Sequence, residues 1–272
     1  MLNNNQLKEL ITRCKIDTKK ELKYPPVALS MGNKTLNTKN GKLDLPVPIG
    51  TYGNFSFVSA KPKTHKTYFI SLLASVYLSN TNRFGANLLG HRQDKQVIHF
   101  DTEQGNYHAH KVFKRVIDMS DMVNCDNCYH TLALRTLNYK LRIQFIEEYL
   151  NTINNIGLVI VDGIADLCSD VNNIIEANEV VQKMMEWSAI HNCHIIAVIH
   201  SNWDTDKPTG HLGSFMEKKT ETHIQLEHNK NSIKVKCKRS RGFAFEPFEF
   251  KINDFGYPQV VSNYNPLENF VL

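Results

Sequence analysis

Eight consecutive residues combine a lysine, a hydroxyl and a basic loop at the junction between a strand-like and a helix-like stretch. They are Ala60, Lys61, Pro62, Lys63, Thr64, His65, Lys66 and Thr67. A lysine followed by a threonine at a helix start can bind phosphate oxygens and Mg²⁺, while the N–H groups of a tight turn surround the phosphates. Ala60 and His65 stand where such a loop usually has glycines, and a non-glycine residue with positive φ at position 65 costs about 1 kcal/mol. These residues alone leave open both a phosphate-binding loop and an ordinary basic loop before a helix.

Two carboxylates follow strand-like runs further along the chain. Asp162 ends the apolar run 157–162, a position from which it can hold the water shell of Mg²⁺. Glu103 comes just after the run 96–101, where a carboxylate can polarise an attacking water. Each signal is weak alone, since Glu103 also fits an ordinary first-turn helix carboxylate. Three such features, each at the carboxyl end of a predicted strand, indicate a common site.

The order of elements predicts how these residues are positioned. From residue 55 onward, short β-branched runs alternate with helix-like stretches, which is typical of an α/β fold with a mostly parallel sheet flanked by helices. The predicted strands of this part span 55–59, 96–101, 130–135, 157–162 and 194–200, and the predicted helices span 67–78, 108–119, 139–153 and 173–190. The most apolar run, 157–162, is expected in the middle of the sheet.

The two ends of the chain differ from this alternation. Strand-like runs with short connections at 223–228, 232–239 and 245–252 predict antiparallel hairpins at a sheet edge. Residues 1–45 predict an N-terminal helix and a basic loop or hairpin arm, and residues 46–272 predict the core.

Composition and charge restrict the class of protein. The chain has 272 residues, 42% hydrophobic and 22% charged, which disfavours disordered, fibrous and disulfide-rich classes. Residues 1–50 contain nine Lys/Arg and four Asp/Glu, so the net charge of +5 arises there. A basic arm suits an acidic partner such as nucleic acid, or simply a solvated surface. Six scattered cysteines and the lack of a long apolar run predict a cytoplasmic protein without membrane contact.

The chain resembles the RecA-like P-loop ATPases, most closely their plasmid RepA-type and DnaB-type branch. The resemblance covers roughly residues 46–272 and rests on PIGTYGNFSFVSAKPKTHKT, HFDTEQGNYH, GLVIVDGIADL, IIAVIHSNW with GHLGS, and CKRSRGFAFEPF. It implies a RecA-like P-loop NTPase core that binds ATP and Mg²⁺. It also implies a ring, with a hexamer as the expected assembly, that acts on single-stranded DNA in replication, mobilisation or recombination, with other replication or mobilisation proteins as further partners.

The resemblance assigns roles to individual residues. It implies that the loop 60–67 holds the nucleotide through Lys66, that Thr67 and Asp162 hold the metal, and that Glu103 is catalytic. His200 would sense the γ-phosphate and signal to a DNA-contacting loop at 201–214. Arg239 and Arg241 would reach the nucleotide of a neighbouring subunit, which is the loosest of these matches.

Several features keep a second interpretation. His200 also fits a histidine at the core edge, and the alternating lysines at 234, 236 and 238 also fit a solvated edge strand. A metal site at Cys125 and Cys128 is disfavoured, because one C-x-x-C pair lacks two ligands. The phenylalanines at 243, 245, 248 and 250 are interpreted as strand packing rather than a base-stacking surface.

Three functions remain open at this point. The leading hypothesis is an ATP-hydrolysing ring helicase or translocase. The alternative is a non-hydrolysing nucleotide-sensing or structural DNA-binding accessory protein, suggested by the missing glycines. The third is an ATP-dependent recombination or transposition regulator that acts on a protein partner.

Overall fold

A mixed nine-stranded sheet organises the described part of the chain, which in this computed structural model comprises residues 2–20, 26–39, 41–79, 87–120 and 128–261. The sheet strands are β3 (Phe55–Ala60), β5 (Gln96–Asp101), β6 (Tyr129–Ala133), β7 (Ile156–Asp162), β8 (His194–His200), β9 (Thr222–Asn229), β10 (Ser232–Ser240), β11 (Phe248–Ile252) and β12 (Pro258–Val260). Their spatial order is β12-β11-β10-β9-β3-β8-β7-β5-β6.

The sheet is parallel from β9 to β6 and antiparallel from β9 to β12. This confirms the predicted α/β class and the antiparallel carboxyl-terminal strands. Every residue of β7 is buried, as expected of an apolar strand covered on both faces.

Six α-helices among the described residues accompany the sheet. They are α1 (Asn4–Cys14), α2 (Lys66–Ser79), α3 (Asn106–Ser120), α4 (Tyr139–Thr152), α5 (Ile174–Ile190) and α6 (Gly210–Lys219). The core cluster on one face of the sheet includes buried residues of α2 and α3, and the cluster on the other face includes those of α4, α5 and α6. Helix α1 has no buried residue. No helix in these ranges is long and apolar enough to cross a membrane.

A second, three-stranded sheet covers the outer side of α2. Strands β1 (Val27–Thr38) and β2 (Gly41–Thr51) form a hairpin, and β1 also pairs with β4 (Leu88–Gly90). Buried residues of this hairpin join the core cluster of α2, so the helix is covered on two sides. This explains why α2 is apolar around most of its circumference and lacks a polar stripe. The hairpin lies within the predicted arm but packs against the core.

Two expectations about element boundaries are wrong. The segment 201–214 was expected to be a loop, but α6 begins at Gly210 because its Leu212 and Met216 pack into the core. The alternating lysines were expected on an edge strand, but β10 is paired on both sides where Ile233–Val235 meet β11.

The contact between β4 and α2 gives a stability prediction. A Cβ at Gly90 would lie 2.6 Å from both the Tyr77 Cα and the Val76 carbonyl oxygen, which are backbone atoms that cannot turn away. Gly90→Ala should therefore lower the free energy of unfolding by about 1–3 kcal/mol in urea titrations. Gly242→Ala, whose Cβ would meet nothing within 4 Å, is the matched control and should change it by less than about 0.5 kcal/mol. Equal stabilities of the two variants would contradict this packing.

Candidate functional site

The loop 60–65 turns tightly between β3 and α2. Lys63 and His65 have φ values of 64° and 56°, so two non-glycine residues lie in the left-handed region. Each such residue costs roughly 1 kcal/mol relative to glycine. Helix α2 begins directly afterwards at Lys66, which places its free N–H groups and Thr67 at the mouth of the loop. The backbone at His65 thus adopts the conformation that the missing glycine would supply.

The Lys66 side chain is buried and meets His200. Its Nζ lies 2.9 Å from His200 Nδ1, because Ala60 and His200 are partners in the neighbouring strands β3 and β8. Burial lowers the pKa of Lys66, while nearby Glu103 and Asp162 act in the opposite direction. An ammonium can only donate, so Nδ1 accepts and the ring proton is on Nε2. That atom lies 3.7 Å from Glu103 Oε1.

Glu103 is held in a turn after β5. Oδ1 of the buried Asp101 accepts the N–H groups of Glu103 and Gln104 at 3.1 and 2.9 Å. Interaction with His200 is the largest cause that lowers the pKa of Glu103, against partial burial, which raises it. Glu103 is therefore an ionised carboxylate that faces the cleft.

Asp162 is the most deeply buried acid of the site. Burial, followed by repulsion from Asp101 and Glu103, raises its pKa to about 7, while a hydrogen bond from Thr67 lowers it. Its Oδ2 has no hydrogen-bond partner. An unpartnered carboxylate oxygen beside a hydroxyl fits a hard cation such as Mg²⁺, which prefers oxygen ligands and keeps several waters. No group of three or more His, Cys, Asp or Glu side chains within the described ranges could hold a metal unaided.

A glycine joins the ends of β5 and β7. Gly163 has a φ of 103°, and a Cβ there would lie 2.3 Å from Thr102 Oγ1 and 2.7 Å from Glu103 Cγ. The Thr102 hydroxyl donates to the Gly163 carbonyl at 2.8 Å. Glycine is therefore required for the two carboxylate-bearing turns to meet, a role that the sequence interpretation did not identify.

These elements surround one cleft of about 720 Å³. Eight of the predicted residues line it: Lys63, Thr64, His65, Lys66, Thr67, Glu103, Asp162 and His200. Six further lining residues were missed: Tyr68, Gln104, His108, Lys111, Val112 and Arg115. Four of them lie on one face of α3, and their i, i+3, i+4, i+7 spacing was a signal available in the sequence.

The other predicted residues lie outside the cleft. Ala60, Lys61 and Pro62 do not line it, and Lys61 Nζ is 3.7 Å from Asp206 Oδ1. Arg239 and Arg241 are exposed near the opposite, amino-terminal end of β3. There the Arg241 N–H donates to the Glu221 carbonyl, and its guanidinium donates to the Lys219 carbonyl at 2.6 Å.

The segment 201–209 forms a short, bonded loop next to His200. Ser201 and Pro208 form a bridge, and Thr209 Oγ1 donates to the His200 carbonyl at 2.8 Å. Trp203 is 71% exposed at the outer part of this loop. The loop therefore starts and ends at the histidine that contacts Lys66.

The remaining motifs are structural or untested. Phe245, Phe248 and Phe250 are buried, which confirms packing, whereas Phe243 is partly exposed beneath Lys34. Cys128 is buried, and Cys125 lies outside the described residues.

Comparison with known proteins gives a family and a fold. A family model described as "AAA domain" matches residues 48–206. The chain is also similar to a solved structure whose title describes the "ATPase Domain" of another protein, at 13% identity and a TM-score of 0.56, covering 79% of this chain and 87% of that chain. No curated protein matches in sequence. At this identity the structural likeness shows the fold alone.

The burial of Asp162 predicts a pH dependence of stability. Its pKa of about 7 in the folded protein exceeds the value near 4 of an unfolded chain, so stability falls as pH rises through this range. Asp162→Asn should remove that fall and make the nucleotide-free protein more stable than wild type at pH 8, by roughly 1 kcal/mol or more. Urea unfolding at pH 5 and pH 8 measures this. Asp254→Asn, an exposed substitution, is the control, and a stability difference between Asp162→Asn and wild type that does not change with pH would refute the prediction.

Proposed function

Because the chain belongs to the AAA domain family, we propose that it is a Mg-dependent P-loop ATPase that hydrolyses ATP in the cleft between the loop 60–67 and α3. The observation that carries this proposal is the contact series from Lys66 through His200 to Glu103, with Asp162 and Thr67 beside it in one cleft. The volume of the cleft, about 720 Å³, is sufficient for a nucleotide.

The site residues divide the work of binding and hydrolysis. Lys66 donates to phosphate oxygens, and the N–H groups at the start of α2 add further donors. Thr67 and Asp162 hold Mg²⁺, which supplies positive charge against the charge that develops on the phosphates. Glu103, ionised and aimed at the cleft, orients a water and accepts its proton.

His200 connects nucleotide occupancy to the loop 201–209. The ammonium of Lys66 cannot donate fully to His200 and to phosphate oxygens at the same time, so nucleotide binding weakens the 2.9 Å contact. His200 then keeps its contact with Glu103, while its carbonyl remains bonded to Thr209 at the end of the loop. A change at the phosphates thereby reaches the loop through one residue.

We propose that this loop contacts single-stranded DNA. The exposed indole of Trp203 offers a surface on which a base can stack, and exposed Lys207 offers a cation for the backbone. Asp206 is already paired with Lys61, which reduces its repulsion of phosphate.

A ring of subunits, a hexamer, is the proposed assembly, with residues 46–272 as the ATPase core and residues 1–45 as an arm. Helix α1 supports self-association, because Leu7, Leu10 and Ile11 are exposed on it. Arg239 and Arg241, exposed and far from the cleft of their own chain, suit a role at the nucleotide of a neighbour.

Steady-state ATP hydrolysis with Mg²⁺, with and without single-stranded DNA, tests the site. Lys66→Ala should lose nucleotide binding, whereas Glu103→Gln should bind ATP and hydrolyse it at least ~100-fold more slowly. Lys114→Ala, on the exposed face of α3, is the control and should hydrolyse normally. Wild-type hydrolysis no faster than that of both variants, in folded protein, would instead favour the non-hydrolysing alternative.

Mixing two inactive variants tests the shared site. Arg241→Ala should bind ATP but fail to hydrolyse it, because a transferring phosphate lacks the neighbour's cation. An oligomer formed from Arg241→Ala and Glu103→Gln subunits should regain activity, since some sites combine an intact Glu103 with a neighbour's intact Arg241. Lys230→Ala is the exposed control. Normal hydrolysis by Arg241→Ala, or no recovery in mixed oligomers that bind ATP, would exclude a role for Arg241 at a neighbouring site.

A further inference from the structure

His65 does more than occupy a position where glycine is usual. Its ring makes edge contacts with two other rings, those of Tyr68 and His228, at centroid distances of 5.5 and 5.9 Å. Tyr68 belongs to the first turn of α2, and His228 lies near the end of β9. The side chain therefore connects the loop to two separate elements, which a glycine could not do.

His228 also supports the loop backbone directly. Its Nε2 lies 3.2 Å from the Lys63 carbonyl oxygen, and a carbonyl can only accept, so Nε2 is the donor. Lys63 is the other non-glycine residue of the loop in the left-handed region. Both strained positions are thus contacted, one by the ring of His228 and the other by its N–H group.

The contacts continue from Tyr68 to α3. The guanidinium of Arg115 lies 3.9 Å from the Tyr68 ring centroid and donates to Ser71 Oγ at 3.2 Å. A row of side chains, His228, His65, Tyr68 and Arg115, hereafter the ring row, therefore runs from β9 across the loop to α3.

We propose that His65 and His228 are positioning residues, which hold the phosphate loop in its binding conformation before the nucleotide arrives. This inference rests on the proposed function of the cleft. A loop with two strained residues needs external contacts to keep its shape, and the ring row supplies them. A loop that is already ordered loses less entropy on binding, so the brace increases nucleotide affinity. Glycine at position 65 would relieve the strain but remove the brace.

The decisive variant restores the usual glycine. If His65 were only a tolerated replacement, His65→Gly would bind nucleotide as well as wild type or better. The brace predicts the opposite: in calorimetric titrations with Mg·ADP, His65→Gly and His228→Ala should each raise Kd roughly two- to tenfold, the change expected for one lost hydrogen bond or ring contact. KM for ATP should rise similarly, with kcat within about twofold, because the reacting groups Glu103 and Lys66 are untouched.

Companion variants separate bracing from general damage. His65→Asn tolerates positive φ without a ring, so it should weaken binding like His65→Gly. The double variant His65→Gly/His228→Ala should lose less affinity than the two single losses combined, because the residues share a contact. His211→Ala, an exposed histidine on α6, should bind like wild type.

Hydrogen exchange without nucleotide distinguishes failure of the brace from failure of the proposed function. Amides of the loop 61–67 should exchange faster in His65→Gly and His228→Ala than in wild type. Unchanged exchange, or Mg·ADP affinity equal to or above that of wild type in His65→Gly, would overturn the brace. If wild type binds no Mg·ADP or ATP, the proposed function fails, and the exchange data alone still decide whether the ring row orders the loop.

Discussion

The buried ammonium of Lys66 is the interaction on which the site depends. A lysine removed from water is stabilised by nearby negative groups, and Glu103 and Asp162 supply them while His200 accepts its hydrogen bond. The same cation limits repulsion between carboxylates that burial brings together. Asp162, whose pKa rises to about 7, shows that this compensation is incomplete. The site thus contains excess negative charge next to an unpartnered oxygen, and this arrangement favours a bound cation.

Strand order explains how residues distant in the chain reach one another. Lys66 and His200 are 134 positions apart, yet they meet because β3 and β8 are adjacent parallel strands. Asp162 ends β7 and Glu103 follows β5, the next two strands in the sheet. Parallel strands bring their carboxyl ends to one edge, so a single edge collects all four side chains. Gly163 then lets the last two turns approach closely.

Much of this arrangement could be predicted from the sequence, because strand ends and helix starts have local signals. The alternation of elements predicted the parallel sheet, and residue type with position predicted Lys66, Thr67, Asp162 and Glu103 as neighbours. The start of α6 at Gly210 was missed because tertiary burial of Leu212 and Met216 overrides polar, glycine-containing local sequence. The contact between His65 and His228 could not be predicted, since it joins residues that pairwise spacing does not relate.

The coverage of α2 on two sides has a mechanical consequence. The main sheet fixes one side of this helix, and the hairpin with β4 fixes another, with Gly90 in contact with its backbone. A helix held in this way cannot slide or tilt when its first turn gains or loses phosphate contacts. It acts as a fixed support rather than a lever. Any stroke that the site generates must therefore be delivered on the other side of the cleft, where β8 ends and the loop with Trp203 begins.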